Sequence, residues 1–174
     1  MKKYLKPVLV LAIACALLLV CSVGLSGVKA ARAEQFRNTV FESMLPRGGA
    51  IEEVLYDGDD ENIRAVYKNY DGYIVETTLR GYSSDITMWT AVGLNGSVKD
   101  FRIVDMNETH TLGRRALNSS SFVTQFWGSR GGLVVGENVD ALSGATLTSR
   151  AVANAINSAC AYVTGSDVVT SATK

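Results

Sequence analysis

Two dipeptides restrict what this chain can fold into more than anything else in it: Asp71-Gly72 and Asn95-Gly96. An Asp-Gly or Asn-Gly pair between runs of β-branched and aromatic residues is the strongest short-range signal for a two-residue hairpin, and it predicts a type I′ turn. IRAVYKN (63–69) and YIVETTLR (73–80) flank the first pair, and ITMWTAVGL (86–94) and VKDFRIVDM (98–106) flank the second. IEEVLYD (51–57) adds a further run before the acidic turn DGDDEN (57–62). Consecutive hairpins predict an antiparallel sheet. Three segments read as helices from apolar spacing. In 31–45, Phe36, Val40, Phe41, Met44 and Leu45 share a face and Pro46 ends the pattern. A short helix is expected around Ser119 to Trp127. A last helix, about Leu147 to Val163, should bury Val152, Ile156, Ala159 and Val163 on one face. Between these two lies the glycine-rich GSRGGLVVGEN (128–138), with one strand expected at 133–135. The fold class is α+β: antiparallel sheet with flanking helices.

The N-terminus carries a different signal. Lys2, Lys3 and Lys6 precede a run from Pro7 to Val28 without a charge. That length suits a hydrocarbon core about 30 Å thick. The lysines orient such a helix with residues 1–6 in the cytoplasm and the rest beyond the membrane. A cleaved signal peptide is the competing reading, because VKAARA offers small residues where Ala30 or Ala33 would precede a cut; the apolar run exceeds the usual h-region of about 7–15 residues. A lipobox at Cys15 or Cys21 fits poorly, since Val20 is bulky and the run before Cys15 is short. The expected organisation is a transmembrane helix at 7–28, a helix and linker at 29–50, an exported domain at 51–164 and a loose tail at 165–174. The expected location is the cytoplasmic membrane, single-pass, with the domain on the extracytoplasmic side.

Charge and cysteine usage exclude several function classes. Seventeen basic residues balance seventeen acidic ones, and no basic patch points to nucleic acid. Of three cysteines only Cys160 lies in the domain, so no disulfide closes within it. No CxxC is present, which removes iron–sulfur and haem attachment. One histidine, His110, excludes an ordinary polyhistidine metal site. DGDDEN misses the EF-hand spacing and reads as a solvated turn. No metal site is expected.

The chemistry concentrates in DALSGATLTS, Asp140 to Ser149, just before the last helix. Thr146 follows Gly144 and Ala145, two residues with almost no side chain, and Asp140 lies six residues earlier. A helix N-terminus presents unpaired amides and a partial positive charge, so a phosphate on the Thr146 oxygen would meet donors. Ser143, Thr148 or Ser149 can cap the helix and leave that oxygen free. The bland reading is an ordinary capped helix after a tight turn.

Asp140, Ser143, Gly144, Ala145 and Thr146 match D-x-x-S/T-G-A-T in full. With that motif the chain resembles the FMN-binding domains of respiratory flavin complexes. It is most similar to the G subunits of Rnf-type ferredoxin:NAD oxidoreductases and, next, to the C subunits of sodium-pumping NADH:quinone reductases. The resemblance extends through GYSSDITMWTAVGLNGSVKDFRIVDMNETHTLG, whose end corresponds to the family's E-T-P-G-L-G loop. It implies FMN joined by a phosphoester to Thr146, attached by a separate magnesium-dependent flavin transferase with FAD as donor. It also implies ring contacts at Glu108, Thr109, Leu112 and Gly113. His110 and Thr111 replace the family's proline and glycine. Phe122, Gln125, Phe126 and Gly128 fit the segment after the loop.

An FMN ring needs apolar cover and a few donors at its polar edge; Leu112, Leu142 and Trp127 are candidates for cover, and amides near Gly113 for donors. No proton-transfer dyad or nucleophile triad is apparent, so no catalytic residue is expected. His110 reads as a loop histidine or a proton relay, Arg114 and Arg115 as an exposed basic pair or a phosphate or partner contact, and Trp89 as core or cofactor cover. The implied function is electron transfer by covalent FMN in a membrane-bound, ion-translocating complex, with other membrane subunits as partners. The rivals are a free-standing exported flavoprotein and an unmodified exported binding or scaffold domain.

Overall fold

The computed structural model describes residues 31–106 and 120–166. The expected transmembrane segment 7–28 lies outside them. Among the described residues, no helix is long and apolar enough to cross a membrane.

The chain divides into two compact units with the boundary between Val40 and Phe41. Helix α1, residues 31–44, spans that boundary, and Pro46 follows its end. In the first unit, the described residues 31–40 are helical and carry an Arg37–Glu34 ion pair at 3.8 Å.

The second unit is built on one five-stranded sheet, ordered β1-β2-β3-β4-β5 and antiparallel throughout. Its strands are β1 (Glu52–Val54), β2 (Ile63–Lys68), β3 (Gly72–Arg80), β4 (Asp85–Gly93) and β5 (Val98–Met106). Each coincides with a run expected from the sequence, so the α+β reading holds. Helix α2 (Ser120–Thr124) is shorter than expected, because the chain continues in turns through Gly128. Helix α3 (Thr146–Thr164) ends in a left-handed Gly165, as C-terminal glycines commonly do.

Both hairpins lie where the dipeptides put them, but neither turn is type I′, which needs positive φ at both central residues. Asp71, Gly72 and Asn95 all have negative φ. In the first hairpin the Asn69 Oδ1 accepts from the amides of Asp71 at 2.9 Å and Gly72 at 3.1 Å, folding the link around a side chain. In the second, the Gly96 amide donates to the Gly93 carbonyl at 2.8 Å, and Gly96 alone is left-handed at φ 78°. That is a three-residue loop with a glycine bulge.

Both faces of the sheet are covered. On one, α3 packs along β3 and β4, enclosing Val66, Val75, Met88, Val92, Phe101, Val152 and Ile156 with Phe122 and Phe126. On the other, Phe41 packs against Tyr67 and Trp89 with ring centroids 4.8 and 4.7 Å apart. Two covered faces explain why β4 is buried at nearly every position rather than at alternate ones. Trp89 is therefore core, with its indole donating to Glu76 Oε2 at 2.7 Å.

Helix α3 departs from the expected one-sided burial: every residue from Ala151 to Ala161 is buried. The glycine-rich segment crosses its outer side. Asn157 Nδ2 donates to the Leu133 carbonyl and its Oδ1 accepts from the Leu133 amide, both at 2.9 Å. The strand expected at 133–135 does not form; a single bridge joins Val135 to Val139. With one chain partner already supplied by Asn157, and glycines at positive φ before and after (Gly131, Gly132, Gly136), the segment wraps instead of extending.

Candidate functional site

The turn before α3 is closed by the Ala145 amide donating to the Leu142 carbonyl at 2.9 Å. Gly144, its third residue, has φ 77° and Ser143 does not share it, the pattern of a type II turn. A side chain with Cβ would be strained at Gly144, so this glycine is there for its backbone. Ala145 then sits as the N-cap at φ −132°, buried, with no side-chain cap. The N-cap position is thus held by a residue that cannot cap with its side chain, rather than by Ser143.

Ser149 acts differently from a cap. It is fully buried, its Oγ donates to the Ala145 carbonyl at 2.9 Å and accepts from the Leu142 amide at 3.1 Å. A second tie reaches the same loop from elsewhere: Gln125 Oε1 accepts from the Asp140 amide at 2.7 Å. Gln125 lies just beyond α2, so the segment carrying Phe122 and Phe126 in the core also holds the start of the motif.

Of the hydroxyls in the motif's second half, Thr148 and Ser149 are buried, whereas Thr146 is exposed. Among the described residues, no partner takes the Thr146 hydroxyl. Asp140, Ser143 and Gly144 are exposed beside it, and Leu142 is half-buried. The first turn of α3 carries no acidic residue, so nothing opposes the positive end of the helix dipole. An accessible hydroxyl at a helix N-terminus fits a group attached through a phosphate.

The site lies at the start of α3. A Cβ on Gly96 would meet the Thr164 side chain, so α3 finishes at the β4–β5 loop. Thr146 stands 18 residues earlier, about 27 Å along the helix axis. Trp127, expected as ring cover, is 55 % exposed and precedes Gly128, whose amide bonds Val98 at the start of β5. Glu108, Thr109, Leu112 and Gly113 lie outside the described residues, as do His110, Arg114 and Arg115. Among the described residues, no cluster of His, Cys, Asp or Glu is suited to a metal ion.

Sequence reasoning singled out Thr146 and its neighbours but did not find the Gln125–Asp140 tie. Its only sequence signal is a polar residue inserted between Phe122, Val123 and Phe126.

Comparison with known proteins gives this site its class. Residues 81–161, from the β3–β4 turn through most of α3, match the FMN-binding domain. The chain thus carries an FMN-binding domain. Among relatives, the G subunit of the proton-translocating ferredoxin:NAD(+) oxidoreductase complex of Clostridium ljungdahlii is 35% identical over 99 residues, 53% of this chain and 53% of that protein. The G subunit of the ion-translocating oxidoreductase complex of Escherichia coli O157:H7 is 30% identical, over 75% of this chain and 68% of that protein. Its counterpart from Methanosarcina acetivorans is 30% identical over 80% of each chain. This chain belongs to the family of G subunits of ion-translocating oxidoreductase complexes. It matches the clostridial relative over about half that protein's length.

Proposed function

We propose that this chain is an electron-carrying subunit whose FMN is esterified to Thr146, and that it works on the extracytoplasmic side of a membrane, held by residues 7–28. Bound FMN supplies the capacity to take and release electrons singly or in pairs. The chain's own part is to hold the phosphate at the start of α3 and to fix the flavin's tether to a rigid helix and sheet. Glu108, Thr109, Leu112 and Gly113 are the proposed ring contacts, on the strength of the family resemblance. Partners are the membrane subunits of an ion-translocating complex, to which ion movement belongs, and a flavin transferase. In the attachment reaction the Thr146 oxygen bonds to the phosphorus of the FMN half of FAD, AMP leaves, and the hydroxyl proton is released.

The observation that carries this reading is the contrast among neighbouring hydroxyls. Thr148 and Ser149 are buried, whereas Thr146 is exposed and unpartnered among the described residues. The full motif and the FMN-binding match support the same assignment.

The test is intact mass after co-expression with the transferase. The protein should carry the mass of one FMN less one water and fluoresce as a denatured band, and Thr146→Ala should lose both. Colourless protein made beside an active transferase would favour an unmodified scaffold domain. Co-purification with multi-span membrane subunits separates a complex subunit from a free-standing carrier.

A further inference from the structure

We infer that Ser149 and Gln125 are positioning residues that clamp the Asp140–Ala145 loop from two sides and so set the direction in which the flavin leaves Thr146. The flavin half of this inference rests on the attachment proposed above; the loop half stands on its own. Thr146 is the first residue of α3, and apart from the Ala145–Leu142 turn bond the loop before it has no regular structure of its own. Its shape depends on contacts at its two ends. At the near end, Ser149 reaches back from inside the helix, giving its proton to the Ala145 carbonyl at 2.9 Å and taking that of the Leu142 amide at 3.1 Å. At the far end, Gln125 takes the proton of the Asp140 amide at 2.7 Å.

The two anchors come from different elements and share no atoms. Gln125 also donates to the Phe122 carbonyl at 3.4 Å, and Phe122 is buried in the main core. The loop is thereby referenced to the core through one side chain and to the helix through the other. A serine that bonds back to the carbonyl four residues earlier is usually neutral or mildly unfavourable in a helix. Here the same hydroxyl also satisfies an amide in the turn, which gives it a structural purpose. A flavin on a single ester still turns about its phosphoester and ribityl bonds, so a fixed base adds to the proposed ring contacts by limiting where the tether can start. Pre-organised geometry of this kind is what keeps a redox group at constant distance from its partners.

The experiment compares wild type with Ser149→Ala and Gln125→Ala, the second at a half-buried position that tolerates truncation. In protein made without transferase, hydrogen exchange should quicken about tenfold at the Leu142 amide in Ser149→Ala and at the Asp140 amide in Gln125→Ala. Amides of β3 and β4 should stay within about twofold. In flavin-loaded protein both variants should keep the full mass adduct, while flavin fluorescence anisotropy falls and iodide quenching rises about twofold or more. Unchanged exchange at both amides overturns the clamp, and so does unchanged anisotropy in both loaded variants. Loss of the adduct in a folded variant also overturns it, by moving these residues into recognition by the transferase. Wild type without an adduct would sink the attachment at Thr146 instead, and the exchange measurement would still decide the clamp.

Discussion

Gly72 and Gly96 sit in neighbouring hairpins and are required for different reasons. Gly96 supplies a left-handed φ of 78°. Gly72 has an ordinary φ, but a Cβ there would collide with the Val92 carbonyl oxygen and come within 2.9 Å of the Gly93 Cα. Both obstacles are backbone and neither can turn away. Gly72→Ala should therefore cost about 2–3 kcal/mol, typical of an overpacked site, read as a lower urea midpoint with unchanged slope. A second residue-scale prediction concerns Cys160, buried on α3. Burial pushes its thiol up from the usual 9.0 to about 11. Between those values the folded chain keeps a proton that the unfolded chain has lost. Stability is then full below about pH 9 and falls as the pH rises toward about 11. The urea-midpoint gap between wild type and Cys160→Ala should narrow over that range; a constant gap would contradict the account.

Helix α3 is the element on which the rest turns. Its sequence is rich in Ala, Ser and Asn, small or polar residues that a solvent-facing helix side would tolerate. They are instead buried, because the glycine-rich segment closes over them and needs a flat, small surface to approach. Gly131 lies within reach of Cys160 and Asn157, with a Cβ placed 3.2 Å from the Cys160 Cβ. Asn157 supplies the polar grip that a buried backbone can use there: both bonds to Leu133 come from its one amide group. Asn157→Ala should cost about 2–4 kcal/mol, since it strands a buried donor and a buried acceptor together. Asn138 makes a comparable pair of bonds, to the Val134 amide and the Gly132 carbonyl, but is exposed. Asn138→Ala should cost about 1 kcal/mol, because water replaces what is removed. Thermal or urea unfolding of both variants gives the comparison, and equal costs would deny that burial makes the difference.

At the scale of the whole molecule, α3 separates two ends. The β2–β3 and β4–β5 loops lie at its C-terminal end, and Thr146 stands at its start. The proposed attachment point is thus the exposed start of a helix whose other end is fixed against the β4–β5 loop. The proposed anchor makes its own prediction. Full-length protein should stay in the membrane pellet through alkaline carbonate washing, and removal of residues 1–30 should release a folded, soluble flavoprotein. Release of the intact chain by carbonate would remove the anchor from the account.

Strand positions, the hairpin order and the threonine motif were legible in the sequence because each depends on residues close together: apolar alternation, a glycine after Asp or Asn, and small residues ahead of a helix. The turn types were not, since Asn69 and Asn95 reorganise their loops through side-chain bonds that compete with the type I′ geometry. The all-round burial of α3 was hidden too, because Ala and Ser look alike on a wet face and on a tightly covered one. So were the links from Gln125 to Asp140 and from Asn157 to Leu133, which join residues 15 and 24 positions apart. By itself the sequence determined which residues pair into strands and which hydroxyl is free of bulk. Only the tertiary structure decided which hydroxyl reaches solvent, because exposure is a property of what packs around an atom and not of the atom's neighbours along the chain.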